Sequence, residues 1–521
     1  MSKKILAPVF TDNMVLQRNK KIKLWGKAAA ASRISITLGE ASVFVMSDDG
    51  GAWSAELPPM QAADGLTLTA SDGISDITLN NIAIGEVWLA GGQSNMEFEL
   101  SNCTDWERIK AAPCRKVRFF YTPKHDFEDE AYFADWESAQ WQLTESDYFR
   151  TWSAVGYIFA EKLAAALDVT VGVIGCNWGG TSASAWMSRE AILSDDSTRI
   201  YIDEYDERNK GISLEDQKKE YLEYLEYESA WDERSAKLYE ENPDTEWSEA
   251  LRICGECKWP GPINSFNPFR PSGQYSQMLR RICPYTLCGF IYYQGESDDH
   301  RPRAYQALFT SLIKLWRKDW QDDGLPFIIT QLPMHRYSAD PDFKNWPIIR
   351  EAQLNVFKSL PNTGIAVIPD CGQYNDIHPV NKGPVGERLA LQALCGVYHV
   401  LDETEAFGPL YSYKEIRGNV LEVFFEHAQN RLKLRGEPEY YEIAGADKIF
   451  YPADIKVKNS SVEFTSDKVN SPMYARYCWS NYCNPTLYGT NGLPASPFRT
   501  DADDETELDV GAAGVQQKLE L

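Results

Sequence analysis

Val87–Leu100 reads VWLAGGQSNMEFEL: four apolar residues run into Gly91-Gly92, and a serine follows between Gln93 and Asn95. A short apolar run that stops on glycine reads as a buried strand delivered to a turn. Ser94 at that corner is either an ordinary cap or turn residue or a nucleophile held at a strand end. Position 96 is methionine, so the stretch is not the G-x-S-x-G elbow of the α/β-hydrolases.

Working outward, four more strongly apolar segments follow: VGVIGCN (171–177), CGFIYYQ (288–294), FIITQL (327–332) and GIAVIP (364–369). Helical patterns lie between them at 154–168, 304–320 and 347–360. Apolar strands alternating with helices predict an α/β fold with a parallel sheet covered on both faces. In such sheets a ligand sits beyond the carboxyl ends of the strands. Residues 1–82 instead alternate apolar and polar between Gly, Asp and Asn turns, which predicts an N-terminal β module. Short alternating strands return over 402–521 as a second β module with a polar tail from about 501. The α/β layer is then 83–401. Its insertion at about 200–262, rich in Glu, Lys, Tyr and Trp, reads as a solvated surface helical hairpin.

Composition excludes several partners. The 521 residues are 43% hydrophobic and 12% aromatic, enough for substantial cores. A formal net charge of −24 repels phosphate backbones and argues against nucleic acid. No apolar run approaches the ~18 residues of a membrane span. The run Ile5–Phe10 is short for a secretory leader, so the expectation is a soluble, cytoplasmic chain. Of the eleven cysteines, Cys254 and Cys257 form the one close pair that suggests a metal, but a structural zinc site needs four ligands. No metal site is expected, and oligomeric state is not legible.

The strand ends concentrate the chemistry. Gln93-Ser94-Asn95 follows the first strand, Trp178-Gly179-Gly180 the second, and Gln294-Gly295-Glu296-Ser297-Asp298 the third, while Asp376-Ile377-His378-Pro379 follows the fifth. Residues two apart in an extended segment point the same way, so Asp376 and His378 can deliver a base and the carboxylate that orients it. Pro379 biases His378 toward that extended form. Of six histidines, only His335 competes for a strand end. Ser94, Asp376 and His378 therefore make a workable triad. The Ser94 amide, the backbone of Gly179-Gly180 and the Gln294 side chain are candidate donors to an oxyanion. Glu296 and Asp298, two residues apart, are ill placed to flank a sugar ring from opposite faces at ~5–9 Å.

Taken together, GQSNM, QGESD and DIHP resemble the blocks of SGNH-type carbohydrate esterases, and within them the sialate O-acetylesterase family. LAPVFTDNMVLQ, WGGTSASAW, WPIIREAQ and the late YARYCWSN extend the likeness along nearly the whole chain. The resemblance implies a flavodoxin-like three-layer SGNH hydrolase domain flanked by all-β modules. It further implies hydrolysis of O-acetyl esters on sugars without metal or organic cofactor. It matches Ser94 to the nucleophile, His378 to the base, Asp376 to its partner, and Gly180 (or Gly179 beside it) and Gln294 to oxyanion positions. The substrate it implies is an acetylated sialic acid or oligosaccharide, with 9-O-acetyl sialate foremost and acetylxylan as the alternative.

Candidate substrate contacts are Gln93, Glu296 and Trp178, beside the blocks, with His335 and Arg350 as partners for a substrate carboxylate. Trp186 is a second aromatic past the same strand, with the core as its default place. A histidine base predicts activity rising through roughly pH 6–7. Rival readings are a non-catalytic sugar-binding protein, which needs no aligned serine and histidine, and a lipase or thioesterase, which would carry an apolar lid.

Overall fold

Asp76–Gly92 is one unbroken strand of 17 residues, β1, and the fold is laid out from it. Up to Asn81 it is partly exposed; from Ile82 every residue is buried. That switch marks the passage from a sheet with one wet face to one covered on both. The boundary expected between residues 82 and 83 lies one residue beyond that switch, and neither chain nor sheet breaks there. Ala63–Ser71, Arg33–Leu38 and Ala41–Met46 continue antiparallel from β1 in the same ten-stranded sheet. Ile22–Lys27 and Ala52–Leu57 form a separate pair. This computed structural model describes residues 5–501 apart from 244, 339, 340, 343, 429 and 430, so the polar tail beyond Asp501 lies outside the described residues.

The parallel layer contains β1, β2 (Val117–Tyr121), β3 (Val171–Asn177), β4 (Gly289–Tyr293), β5 (Phe327–Thr330) and β6 (Thr363–Ala366). The order across the sheet is β2-β3-β1-β4-β5-β6, with every neighbouring pair parallel. Edge strand β2 was not among the five expected. The chain leaves β1 to one side for β2 and β3, then crosses to the other for β4 to β6. The switch point therefore lies at the carboxyl ends of β1 and its neighbours, where a crevice opens.

Seven helices matter for the site: α1 (Ser94–Glu97), α2 (Ala154–Leu167), α3 (Ile200–Asn209), α4 (Leu214–Glu241), α5 (Pro302–Trp320), α6 (Asn345–Ser359) and α7 (Gly383–Gly396). Trp88 of β1 packs edge-on to Phe159 of α2, ring centroids 5.1 Å apart. Gly91, three residues on, faces the opposite side, where a Cβ would stand 2.9 Å from the Trp316 ring of α5. The two layers are thus fixed by one strand's alternation. Removing a fully buried tryptophan such as Trp316 typically costs about 3–5 kcal/mol.

After α7 the chain is β-rich. Leu410–Arg417, Val420–Glu426, Ser461–Thr465 and Asp454–Val457 make one antiparallel sheet, and a second is built on Tyr441–Ala444 and Tyr474–Tyr477. They share a core of Leu421, Val423, Phe464 and Tyr477. This part is stitched to the α/β layer by a two-pronged Arg499–Glu351 ion pair at 2.7 and 2.8 Å and by Gln331–Ser496. Among the described residues no helix is long and apolar enough to cross a membrane.

Candidate active site

Gly92 ends β1 at φ +134°, and a Cβ there would overlap the Tyr293 carbonyl oxygen of β4. Only glycine lets the two strand ends close this tightly. Gln93 then donates its N–H to that same Tyr293 oxygen at 3.1 Å, and α1 starts at Ser94. The glycines therefore press β1 against β4 so that Ser94 emerges at the switch point.

His378 reaches Ser94 from the loop between β6 and α7. Its Nε2 lies 2.8 Å from Ser94 Oγ. A hydroxyl at that distance can pass its proton to the ring as it attacks an electrophile. Burial is the main effect pushing the His378 pKa below its ordinary 6.5, followed by the charge of Lys382; Asp376 and Glu97 oppose them. Asp376 is differently arranged from expectation. The segment is not extended: Asn375 has φ +63°, and Asp376 Oδ1 accepts the backbone N–H of His378 at 2.8 Å. A short polar side chain closing on the backbone two residues ahead makes a turn.

Gly179 and Gly180 also separate. Gly179 donates its N–H to Glu97 Oε2 at 2.6 Å. Gly180, at φ +76°, faces the cavity, and a Cβ there would stand 2.7 Å from Trp259 and 2.8 Å from Phe269. Among the described residues the N–H groups of Ser94 and Gly180 have no backbone or side-chain acceptor, so both are available to a ligand.

Gln294 is not in the cavity. It is buried, and its Nε2 donates to Asp298 Oδ2 at 2.6 Å and Thr181 O at 3.3 Å, while its Oε1 accepts from Tyr305. With both amide hydrogens committed inward, it cannot face an oxyanion. Asp298 is the hub it serves. Ser182 Oγ (2.6 Å), Ala183 N (2.9 Å) and Tyr201 OH (2.8 Å) also converge on this carboxylate, tying the β3 loop and α3 to the end of β4.

The cavity in front of Ser94 and His378 holds about 490 Å³. Gln93 and Glu296 reach its wall; Trp178, His335 and Arg350 do not. Gln93 acts as a staple, its Nε2 on Ser297 Oγ and its Oε1 accepting from Gly295 and Ser297 N–H. Glu296 accepts from Asn95 at 2.7 Å, and burial raises its pKa. Trp178 instead lies 5.9 Å under the Lys124 ammonium. Trp186 is core. His335 is buried between Tyr337 and Trp346. Arg350 is 1% exposed and donates to the carbonyls of Pro333 and Ser480. Burial lowers its pKa to about 10. It joins the C-terminal part to α6 and is not part of the cavity wall.

The insertion supplies what was missed. Tyr201, Glu204, Tyr205 and Arg208 of α3, with Trp259, form one wall of the cavity. The insertion is thus not a free surface hairpin. Arg301 lies 4.9 Å over the Tyr201 ring and pairs with Glu204. Cys254 is buried at the end of a helix, and among the described residues no group of three His, Cys, Asp or Glu could hold a metal ion.

With this geometry in view, comparison with known proteins decides the family. A family model described as carbohydrate esterase, sialic acid-specific acetylesterase, matches residues 84–212 and 261–394, just over half of the chain. The chain belongs to the sialic acid-specific acetylesterase family. Human sialate O-acetylesterase is 24% identical, with 94% of this chain and 91% of that protein covered. The rat sialate O-acetylesterase is 25% identical over 94% and 93%. The crystal structure of a carbohydrate acetylesterase from Xanthomonas citri superposes with a TM-score of 0.76 at 27% identity, covering 95% of this chain and 99% of that one. As a sialic acid-specific acetylesterase family member the chain is a serine ester hydrolase acting on carbohydrate esters, with a mixed α/β fold like that of carbohydrate acetylesterases. The family match passes over 213–260, which includes α4 and Trp259.

Proposed function

We propose that this enzyme removes acetyl groups from acetylated sialic acids, 9-O-acetyl esters foremost, through Ser94, His378 and Asp376. The observation that carries the reading is the 2.8 Å approach of Ser94 Oγ to His378 Nε2 at the wall of the cavity. Ser94 attacks the acetyl carbonyl while His378 takes its proton. The Oγ–C bond forms, and the negative charge on the carbonyl oxygen meets the N–H groups of Ser94 and Gly180. The bond to the sugar oxygen breaks and His378 returns the proton to it. Water, activated by the same ring, then frees acetate and restores Ser94. Asp376 holds the His378 backbone and favours the positive ring that forms.

An acidic sugar is supported by Arg208. It lines the cavity, and among the described residues no carboxylate pairs with it, whereas Arg301 is neutralised by Glu204. It takes the role first expected of Arg350 and His335. Trp259 and Phe269, 5.4 Å apart and edge to face, offer an apolar wall for the sugar.

The parallel layer is read as a flavodoxin-like SGNH hydrolase layer with β2 added at its edge. The chain divides functionally into an N-terminal β part, a catalytic part over 83–401 and a C-terminal β module.

The test is acetate release from 9-O-acetyl sialate and from a neutral acetylated xylo-oligosaccharide. Wild type should release acetate from the first in preference, Ser94→Ala from neither, and Arg208→Ala should lose about tenfold or more on the sialate alone. Release surviving in Ser94→Ala would reject the nucleophile. Equal losses on both sugars would reject the Arg208 contact.

A further inference from the structure

Directly behind the Ser94–His378 pair lies a buried chain of three polar side chains that the proposed reaction does not use. Lys382 is 1% exposed and donates to Asn95 Oδ1 at 2.5 Å. Asn95, fully buried, donates from Nδ2 to Glu296 Oε1 at 2.7 Å and to the Ile377 carbonyl at 2.9 Å. Asn95 follows the nucleophile and Ile377 precedes the base. One amide therefore ties α1 to the His378 loop. Its orientation is fixed from both ends, an ammonium on its oxygen and a carboxyl on its nitrogen.

A lysine is an expensive choice for that place. A buried ammonium is strongly disfavoured unless paired, and among the described residues no carboxylate lies within ion-pairing distance of this one. Its other neighbours are ring faces, Phe98 at 4.6 Å and Tyr293 at 5.9 Å, which favour a cation modestly. A neutral donor would hold the Asn95 oxygen at less cost, so stability alone does not account for a charge here.

We propose that Lys382 is a positioning residue for His378: its ammonium locks the Asn95 amide that ties the base loop to the nucleophile helix. This rests on the Ser94–His378 reading above.

The groups facing His378 are Asp376 and Lys382 from its own loop and Glu97 from α1. Glu296 stands beyond Asn95, at the end of β4. Asp376 and Glu97 favour a protonated ring; burial and Lys382 favour the neutral one that can accept the Ser94 proton. Lys382 itself, lowered to about 8 chiefly by burial, stays largely charged at neutral pH, with Glu296 and Asp376 supporting that charge and the Cys371 and Cys103 thiols nearby.

The experiment is the rate of Ser94 modification by a small fluorophosphonate as a function of pH, in the full chain, with thermal unfolding as a check on folding. The probe needs serine and histidine but no sugar. In wild type the rate should rise with a midpoint below 6.5. In Lys382→Met the midpoint should move up by about one unit, and the plateau rate should fall about tenfold as the Asn95 amide loses its anchor. Lys382→Arg should hold the wild-type midpoint. Should Lys382→Met not fold, Lys382→Gln keeps a donor for Asn95 without the charge; its midpoint should rise while its plateau falls less. A folded Met variant with an unchanged plateau rate, or a folded Gln variant with an unmoved midpoint, overturns the proposal. A wild type that is not modified at Ser94 overturns the nucleophile reading, and this inference with it.

Discussion

The carboxylate of Asp376 holds the backbone N–H of His378 at 2.8 Å, in a turn begun by the left-handed Asn375. In this structure Asp376 therefore fixes where the histidine sits, and its charge acts on the ring through space. The two effects separate by substitution. Asp376→Asn keeps an oxygen for the N–H and removes the charge; Asp376→Ala removes both. We expect kcat for Asp376→Ala to fall by about 10²–10⁴, the range typical of an orienting carboxylate, with Asp376→Asn about tenfold better. Steady-state kinetics on an acetyl ester would show it. Equal losses would mean that the charge alone matters.

The pH profile follows from the sign of the His378 shift. The base works only when neutral, so kcat/KM is lost as pH falls through the pKa of the free enzyme's histidine. Burial and Lys382 lower that pKa, and the acid limb moves below the ordinary 6.5. Activity should already be near its plateau at pH 7, a more acidic profile than the rise through pH 6–7 expected of an unperturbed histidine. A midpoint above 7 would contradict the environment described for the ring.

Gln294 offers a contrast between scaffold and chemistry. Its amide serves Asp298 and Thr181, so Gln294→Ala removes a donor from a buried carboxylate and an acceptor from Tyr305. Leaving such groups unsatisfied costs about 1–3 kcal/mol. Denaturant unfolding should show that loss, while kcat falls by less than the ~10²–10³ expected of an oxyanion donor. A drop of that full size without loss of stability would return Gln294 to the oxyanion site.

Arg350 should behave likewise. Arg350→Met strands the carbonyls of Pro333 and Ser480 and loosens the C-terminal part from α6. We expect a fall in Tm and an equal change in kcat/KM on charged and neutral acetyl sugars. A loss confined to the sialate would place a carboxylate at Arg350 after all.

What was legible in the sequence is what one strand and its end determine. The apolar runs named five of the six parallel strands, and the residues at their ends included Ser94 and His378, which the fold brings within 2.8 Å. Directions at those ends were not legible. Gly295, at φ +146°, turns the chain just after Gln294, and no periodicity says that the amide goes inward to Asp298. Arg350 reads as an ordinary helix arginine until Ser480, 130 positions later, is folded onto it. The charged face of α4 was readable as solvated, but not that its flanks, Tyr201 to Arg208 and Trp259, return to the cavity. β2 carries Arg118 inside it and is preceded by Arg115 and Lys116, so no unbroken apolar run marks it out.

Trp259 gives the last prediction. It stands outside the two stretches that match the family, yet it lines the cavity and packs edge-on against Phe269 over Gly180. Its ring gives and takes no proton and forms no bond in the chemistry proposed, so it binds the sugar in ground and transition states alike. Such uniform binding shows in KM and leaves kcat nearly unchanged. For Trp259→Ala we expect KM for an acetylated sugar to rise about tenfold, the value of a lost aromatic contact of about 1.4 kcal/mol. Hydrolysis of a small acetyl ester with no sugar ring to stack should be affected far less. If kcat fell on both substrates instead, Trp259 would be holding Gly180 in place for the reaction rather than holding the sugar.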